Sequence, residues 1–288
     1  MARGEERGIT PILGAVLLAG ILVMAMTIWQ VQVIPIQNQN LEFQHYQRVG
    51  NDMQNLRAAW VNTAGSGSVA SSTIKLGFQY PERTVFISPP AATGTLRIQK
   101  AGVIESAGFN VSNTCGLSHP VRMSYISYTP HYAELSLPTY FMEYGLIYRN
   151  ASGQPIVESD QLLVDGNTIN LYGLLGNRSV TSAQTVSVDF YGANIVGINT
   201  SQTQQVWLNL SSNVPAAWQK ALSDVNQVNQ TIVTDGVIHI QMKPGDYKIR
   251  CPLSGTESTP EPDPENIEGV SEINPPQPGD VEFVSASL

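Results

Sequence analysis

The chain has 288 residues, 42% hydrophobic and only 13% charged, with a net charge of −8. That apolar content supplies a buried core for one large domain or two small ones and excludes disorder along the whole length. All of the net charge lies in the tail, where eight acidic residues and no Lys or Arg follow Arg250; a negative chain without a basic stripe argues against a nucleic-acid partner.

Residues 1–8 form a short charged leader ending in Gly8, and no charged residue then occurs from Ile9 through Leu41. The first polar side chain larger than Thr is Gln30, which leaves 21 residues, Ile9 to Trp29, for a helical span. At 1.5 Å per residue such a helix is about 31 Å long, the thickness of a hydrocarbon core. Residues 9–36 are therefore read as a helix crossing the lipid bilayer. Arg3 and Arg7 precede it, and basic flanks stay on the cytoplasmic side, so the remainder of the chain is expected outside the cell. The run is longer than the apolar region of a secretory signal, and no small-x-small cleavage site follows it. Thr10 and Pro11 suit a helix start, whereas Pro35 is expected to kink or end the span because it lacks an amide hydrogen. Gly14 and Gly20 are not in the GxxxG spacing of a membrane-helix dimer.

The junction Arg7-Gly8-Ile9-Thr10-Pro11-Ile12-Leu13-Gly14 closely resembles the class III signal peptides of archaeal type IV pilin-like proteins. The resemblance implies that a prepilin peptidase cuts between Gly8 and Ile9 and leaves the apolar helix on the mature chain. That helix would then serve as a membrane anchor or pack with like subunits in a surface filament. Leu13 stands where many bacterial pilins carry a glutamate at the fifth mature position, so their subunit-registering contact is not implied.

Beyond Pro35 the apolar residues Tyr46, Val49, Met53, Leu56 and Trp60 recur at intervals of three and four. This seam predicts an amphipathic stalk helix over 37–64. Two heptads are short for a stable coiled coil, so packing onto the chain's own β domain is preferred to self-association. The helix is expected to stop before the flexible turn Ala64-Gly65-Ser66-Gly67-Ser68.

From 65 to 251 the sequence alternates apolar and polar residues between Gly and Pro turns. Expected strands are Thr73 to Tyr80, Thr84 to Ser88, Gly94 to Gln99, Val103 to Asn113, Arg122 to Tyr128, Tyr140 to Arg149, Gln161 to Leu163, Thr168 to Leu171, Thr185 to Phe190, Gln205 to Leu210, Gly236 to Gln241 and Asp246 to Cys251. One helix, Pro215 to Val228, interrupts them. The fold class is α+β, mostly β: a transmembrane helix and a stalk helix followed by an antiparallel β-sandwich-like domain. Tyr80-Pro81-Glu82-Arg83, Pro89-Pro90, Gly94-Thr95-Leu96, the block from Tyr140 to Tyr148, and the run from Leu163 to Leu171 look like a set of uncharacterised archaeal, mainly haloarchaeal, pilin-like surface proteins. That likeness covers most of residues 3–250 and implies no activity. Residues 252–288 hold seven prolines among Glu, Asp, Ser and Gly, the composition of a disordered acidic tail.

Sites that chemistry would use are sparse. Sequons lie at Asn110, Asn150, Asn177, Asn199, Asn209 and Asn229; on an external domain they are candidate glycosylation sites, with Asn209 disfavoured by its place in a strand. Cys115 and Cys251 are the two cysteines, a candidate disulfide outside the cell or two buried thiols. His45, His119, His131 and His239 are widely spaced and match no metal motif. His131 with Glu134 is read as an ordinary strand histidine beside an acid. No nucleophile elbow or phosphate loop occurs. The aromatic group Tyr125, Tyr128, Tyr132, Tyr140, Phe141, Tyr144 and Tyr148 fits cross-strand packing better than a ligand surface. The expectation is a non-enzymatic, membrane-anchored surface protein without a cofactor. It would be a pilin-like structural or adhesion component whose partners are like subunits or other envelope proteins. The alternative is a tethered module that binds carbohydrate or another surface ligand.

Overall fold

The computed structural model describes residues 9–107, 122–192, 196–202 and 206–256. The apolar span forms α1 (Ile9–Ile28), followed by one wide π-helical turn (Trp29–Val33) and then α2 (Ile34–Ser66). Of the two outcomes expected of Pro35, a kink or an end to the span, the helix does not end: Pro35 occupies the first turn of α2. The Ile34 amide bonds back to the Trp29 carbonyl, five residues earlier. A π turn opens the helix locally, which is how a helix absorbs the missing donor and bulky ring of a proline without stopping. α2 also begins earlier and ends later than 37–64. Its stop is Gly67, which adopts a left-handed φ of 66° and donates its amide to the Thr63 carbonyl, a conformation that glycine reaches without strain.

Among the described residues, the head that follows is built from three sheets, mostly antiparallel. In the first, β1 (Val69–Lys75) pairs with β11 (Thr185–Gly192), and β11 pairs with β17 (Leu253–Thr256). β17 in turn runs parallel to β9 (Gly173–Leu175). The largest sheet has the order β14 (Val228–Thr234), β15 (Val237–Met242), β13 (Trp207–Ser211), β2 (Thr93–Ala107), β3 (Arg122–His131), β4 (Tyr140–Glu143), β5 (Leu146–Ala151) and β6 (Gln154–Val157). β2 is long enough to serve two partners along one edge, β10 (Arg178–Ser182) near its start and β13 near its end. The third sheet has the order β12 (Val196–Gln202), β16 (Gly245–Cys251), β8 (Thr168–Asn170) and β7 (Val164–Asp165), with β16 and β8 parallel.

β16 and β17 are consecutive and separated by Pro252 alone, so one stretch of chain stitches the third sheet to the first. Consequently residues 252–256 belong to the fold rather than to the tail. The rest of the expected tail, 257–288, lies outside the described residues.

Three two-residue hairpin turns carry positive φ at both positions: Tyr144-Gly145, Ser152-Gly153 and Asp235-Gly236. Their twist matches that of paired strands. The first of them splits the expected single strand Tyr140 to Arg149 into β4 and β5. Two other expected strands, Thr84 to Ser88 and Gln161 to Leu163, are loops, and the expected helix from Pro215 is short, α3 (Pro215–Leu222). Val228 at its expected end opens β14 instead.

Two apolar cores result. In one, Tyr46, Val49, Met53, Leu56, Trp60 and Ala64 of α2 are fully buried against Ile74, Leu96, Ile98, Ile126, Tyr128, Phe190 and their neighbours. The stalk seam is thus the spine of the head, as its periodicity led us to expect. The other core lies around Trp218 of α3, packed with Tyr144, Tyr148, Leu208, Leu210, Ile238 and Ile240.

Candidate functional site

α1 and α2 meet the head unequally, and the boundary between the two regimes is the most distinctive place in the molecule. Within α1 the described apolar side chains, Leu13 through Ile28, project outward with no protein partner, and the helix is long and apolar enough to cross a membrane. From Ile34 onward one face is buried, and its first turns are polar: Asn38, Glu42 and His45 are each almost fully enclosed. Their spacing of four and three continues the apolar stripe that begins at Tyr46, so these polar groups sit on the face that enters the core.

Burial of polar groups requires partners, and each of the three residues finds at least one on two loops of the head. Glu42 accepts hydrogen bonds from three successive backbone amides, Ala133 and Glu134 at one oxygen (3.1 and 3.0 Å) and Leu135 at the other (2.7 Å). The Tyr80 hydroxyl donates to the first of these oxygens. Burial, reinforced by the neighbouring carboxylate, pushes the Tyr80 phenol above its usual range, so it stays a donor. His45 Nδ1 lies 2.7 Å from the Tyr132 hydroxyl. Burial lowers the His45 pKa to about 4, helped by the positive Arg48 and Lys75, so the ring is neutral near pH 7. Asn38 Oδ1 accepts from Arg83 at 3.0 Å, and the Tyr46 hydroxyl donates to the Pro138 carbonyl at 2.8 Å.

Further along, Asp52, Gln54 and Arg57 bond to the backbone of Lys75, Glu158, Gly145 and Asp160. The helix is therefore clamped to the head along its outer length and free along its inner length.

The chemical candidates are dispersed. His131 is tied through Nε2 to Thr95 Oγ1 at 2.8 Å, while the Glu134 backbone serves the Glu42 clamp. Among the described residues no three His, Cys, Asp or Glu side chains gather as a metal site. His239 Nδ1 lies 2.8 Å from Asn209 Oδ1 across β15 and β13, which accounts for both as a cross-strand pair. His119 lies outside the described residues. Tyr128, Tyr140, Tyr144 and Tyr148 are buried in the two cores, Phe141 stacks on Tyr148 at 5.4 Å, and Tyr125 and Tyr132 are half-buried.

Of the sequons, Asn150 lies in β5, one residue before its end, and Asn177 joins β9 to β10, both half-buried. Asn229 is exposed on the edge strand β14, where its amide donates to Gln241 Oε1 at 2.9 Å. Asn199 lies in β12, with its side chain outside the described set, and Asn110 is outside it altogether. Cys251 is buried and disulfide-bonded; Cys115, the other cysteine, falls outside the described residues. Ile9 opens α1, while Gly8 and the leader precede the described part.

The polar clamp of Asn38, Glu42 and His45 was absent from the sequence reading. Its signal was available, because three polar residues extend the period of an apolar seam.

No family model matches the chain, and no solved structure matches it. A protein of Archaeoglobus fulgidus described only as uncharacterised is 19% identical over 226 residues, covering 77% of this chain. The match spans 39% of that relative's length, so the chain corresponds to well under half of it.

Proposed function

We propose that this chain is a non-enzymatic, membrane-anchored surface protein, a pilin-like structural or adhesion component with its head outside the cell. The observation that carries this reading is the division of one continuous helix into an inner part that exposes its apolar side chains and an outer part that is the spine of the head. An apolar helix of that length needs a non-aqueous environment, either lipid or a bundle of like helices. Ile36 and Phe43, 59% and 50% exposed, extend the apolar surface a further two turns on the side away from the buried face. Plain anchoring does not require them, whereas packing of like subunits would cover them. The Gly8-Ile9 junction supports processing by a prepilin peptidase.

Mass spectrometry of the mature protein tests processing: a chain beginning at Ile9 supports it, and an intact Met1 or Ala2 leaves a simple signal anchor. Electron microscopy of purified material tests assembly, with filaments expected and their loss on Phe43→Ser. Monomers at every concentration would reduce the reading to a tethered protein.

A further inference from the structure

The loop between Phe78 and Ala92 is closed at its base by an antiparallel bridge between those two residues. Three contacts then fix its course along the helix. Tyr80 meets Glu42, Arg83 meets Asn38, and the Ile87 carbonyl accepts from the Gln30 amide at 3.2 Å. As the loop advances from 80 to 87 its helical partner recedes from 42 to 30, so its contacts step down the helix toward the apolar span, with the long Tyr80 and Gln30 side chains covering much of the distance. Ser88 turns back and donates to the Pro81 carbonyl at 2.9 Å.

The composition of the loop changes with its level. Glu82 and Arg83 lie where the helix itself is polar, and the tip Thr84-Val85-Phe86-Ile87-Ser88-Pro89-Pro90 has no charge. Val85 and Ile87 at that tip are 65% and 81% exposed. Ile87 sits against Gln30, the first large polar side chain after the apolar run, and Gln30 directly follows Trp29, itself half exposed. Tryptophan at the end of a span marks the headgroup level of a bilayer.

We propose that residues 84–90 form a second membrane contact, a loop whose Val85 and Ile87 side chains enter the headgroup–acyl boundary beside the emerging helix. The occupant is a lipid surface rather than a protein because the tip continues the uncharged, outward-facing surface of α1 at the level where that helix leaves the hydrocarbon. Apolar side chains held there gain burial in lipid while the loop's charged residues remain above it. A single helix leaves the head free to swivel and tilt; a second contact fixes its orientation to the membrane plane.

The inference rests on the anchored reading above, and its test separates the two. An environment-sensitive fluorophore is attached at Ile87→Cys in the full chain, reconstituted in vesicles of phosphatidylcholine and phosphatidylglycerol. Leu17→Cys on α1 and Val69→Cys, also exposed and at the end of the head beyond α2, serve as controls, and labelled wild-type chain gives the background. Lipids brominated near the headgroup or near the chain end are the quenchers. The expected result is a blue-shifted Ile87 label, quenched at least twofold by the shallow bromines, with the Val69 label aqueous and the Leu17 label quenched by the deep ones.

An aqueous Ile87 label beside a quenched Leu17 label overturns the loop contact and leaves the anchor standing. A blue-shifted Ile87 label insensitive to bromine means that protein covers the loop, and also overturns it. Failure of bromines to quench either label overturns both readings. Ile87 makes no buried side-chain contact, so the Cys variant keeps the fold, and an unchanged unfolding midpoint verifies this.

Discussion

The Glu42 carboxylate on the helix and the Tyr80 hydroxyl on the descending loop are joined by a hydrogen bond inside the head, and the same carboxylate gathers three amides of the loop that follows β3. One side chain thus fastens two loops to the helix at the turns where it leaves the apolar span. The head is oriented on its anchor by this joint.

Replacing Glu42 with Gln removes an acceptor and turns a donor toward the amides. Because a bond to a charged group is worth about 1.5–3 kcal/mol and an unpaired buried donor costs a similar amount, Glu42→Gln should destabilise the head by about 3 kcal/mol. Tyr80→Phe, which removes one bond to the same carboxylate, should cost about 1.5–3 kcal/mol on the same basis. Urea unfolding in detergent measures both, and the double variant should cost less than the sum, since the two share one bond.

His45 imposes a pH dependence whose sign follows from its lowered pKa. Above about 6.5 the ring is neutral whether folded or unfolded and contributes no slope. As pH falls from 6.5 toward 4 the unfolded chain takes up a proton that the folded chain refuses, so stability is lost across that window. Below about 4 both states are protonated and the contribution is level. The loss approaches about 3 kcal/mol at the limit. Unfolding free energies measured across this range should therefore fall more steeply for wild type than for His45→Gln.

Gly192, at the end of β11, lies where the C-terminal turn of α2 meets the first sheet. A Cβ there would stand 2.2 Å from the Thr63 carbonyl oxygen and 3.0 Å from Gly67. Both are backbone at the helix terminus and cannot rotate away. Gly192→Ala should therefore destabilise by about 3 kcal/mol or more through overpacking, read as a lowered thermal midpoint. Gly153→Ala offers a contrast: nothing lies near its Cβ, but its φ of 84° penalises any side chain by strain alone, for about 1 kcal/mol.

The buried and exposed faces of α2 should respond oppositely to truncation. Trp60, fully buried in the helix-facing core, should cost about 3–5 kcal/mol as Trp60→Ala. Phe43→Ser, at an exposed position, should change stability by less than about 0.5 kcal/mol. If Phe43 packs against like subunits, its loss should show in assembly and not in the unfolding curve.

The apolar span, the stalk seam and the mostly β character of the head follow from the sequence alone. Hydrophobic period and length are local properties: 21 uncharged residues demand a non-aqueous helix, and apolar residues at intervals of three and four demand a partner for one face. The Asp235-Gly236 turn is also a local signal, a two-residue hairpin, although the expected strand began at Gly236 and left β14 unread. Tertiary structure alone decided the rest. Whether Pro35 breaks a helix depends on what packs around the opened turn, and whether the Tyr140 to Arg149 block is one strand or two depends on a left-handed Tyr144. Pairings such as β16 with β8 and β17 with β9 join segments nearly eighty residues apart, which no local pattern encodes. The role of Glu42 is of the same kind. Its place on the buried face is periodic and readable, but its partners come from loops 38 and more than ninety residues away, brought together only when the two cores close.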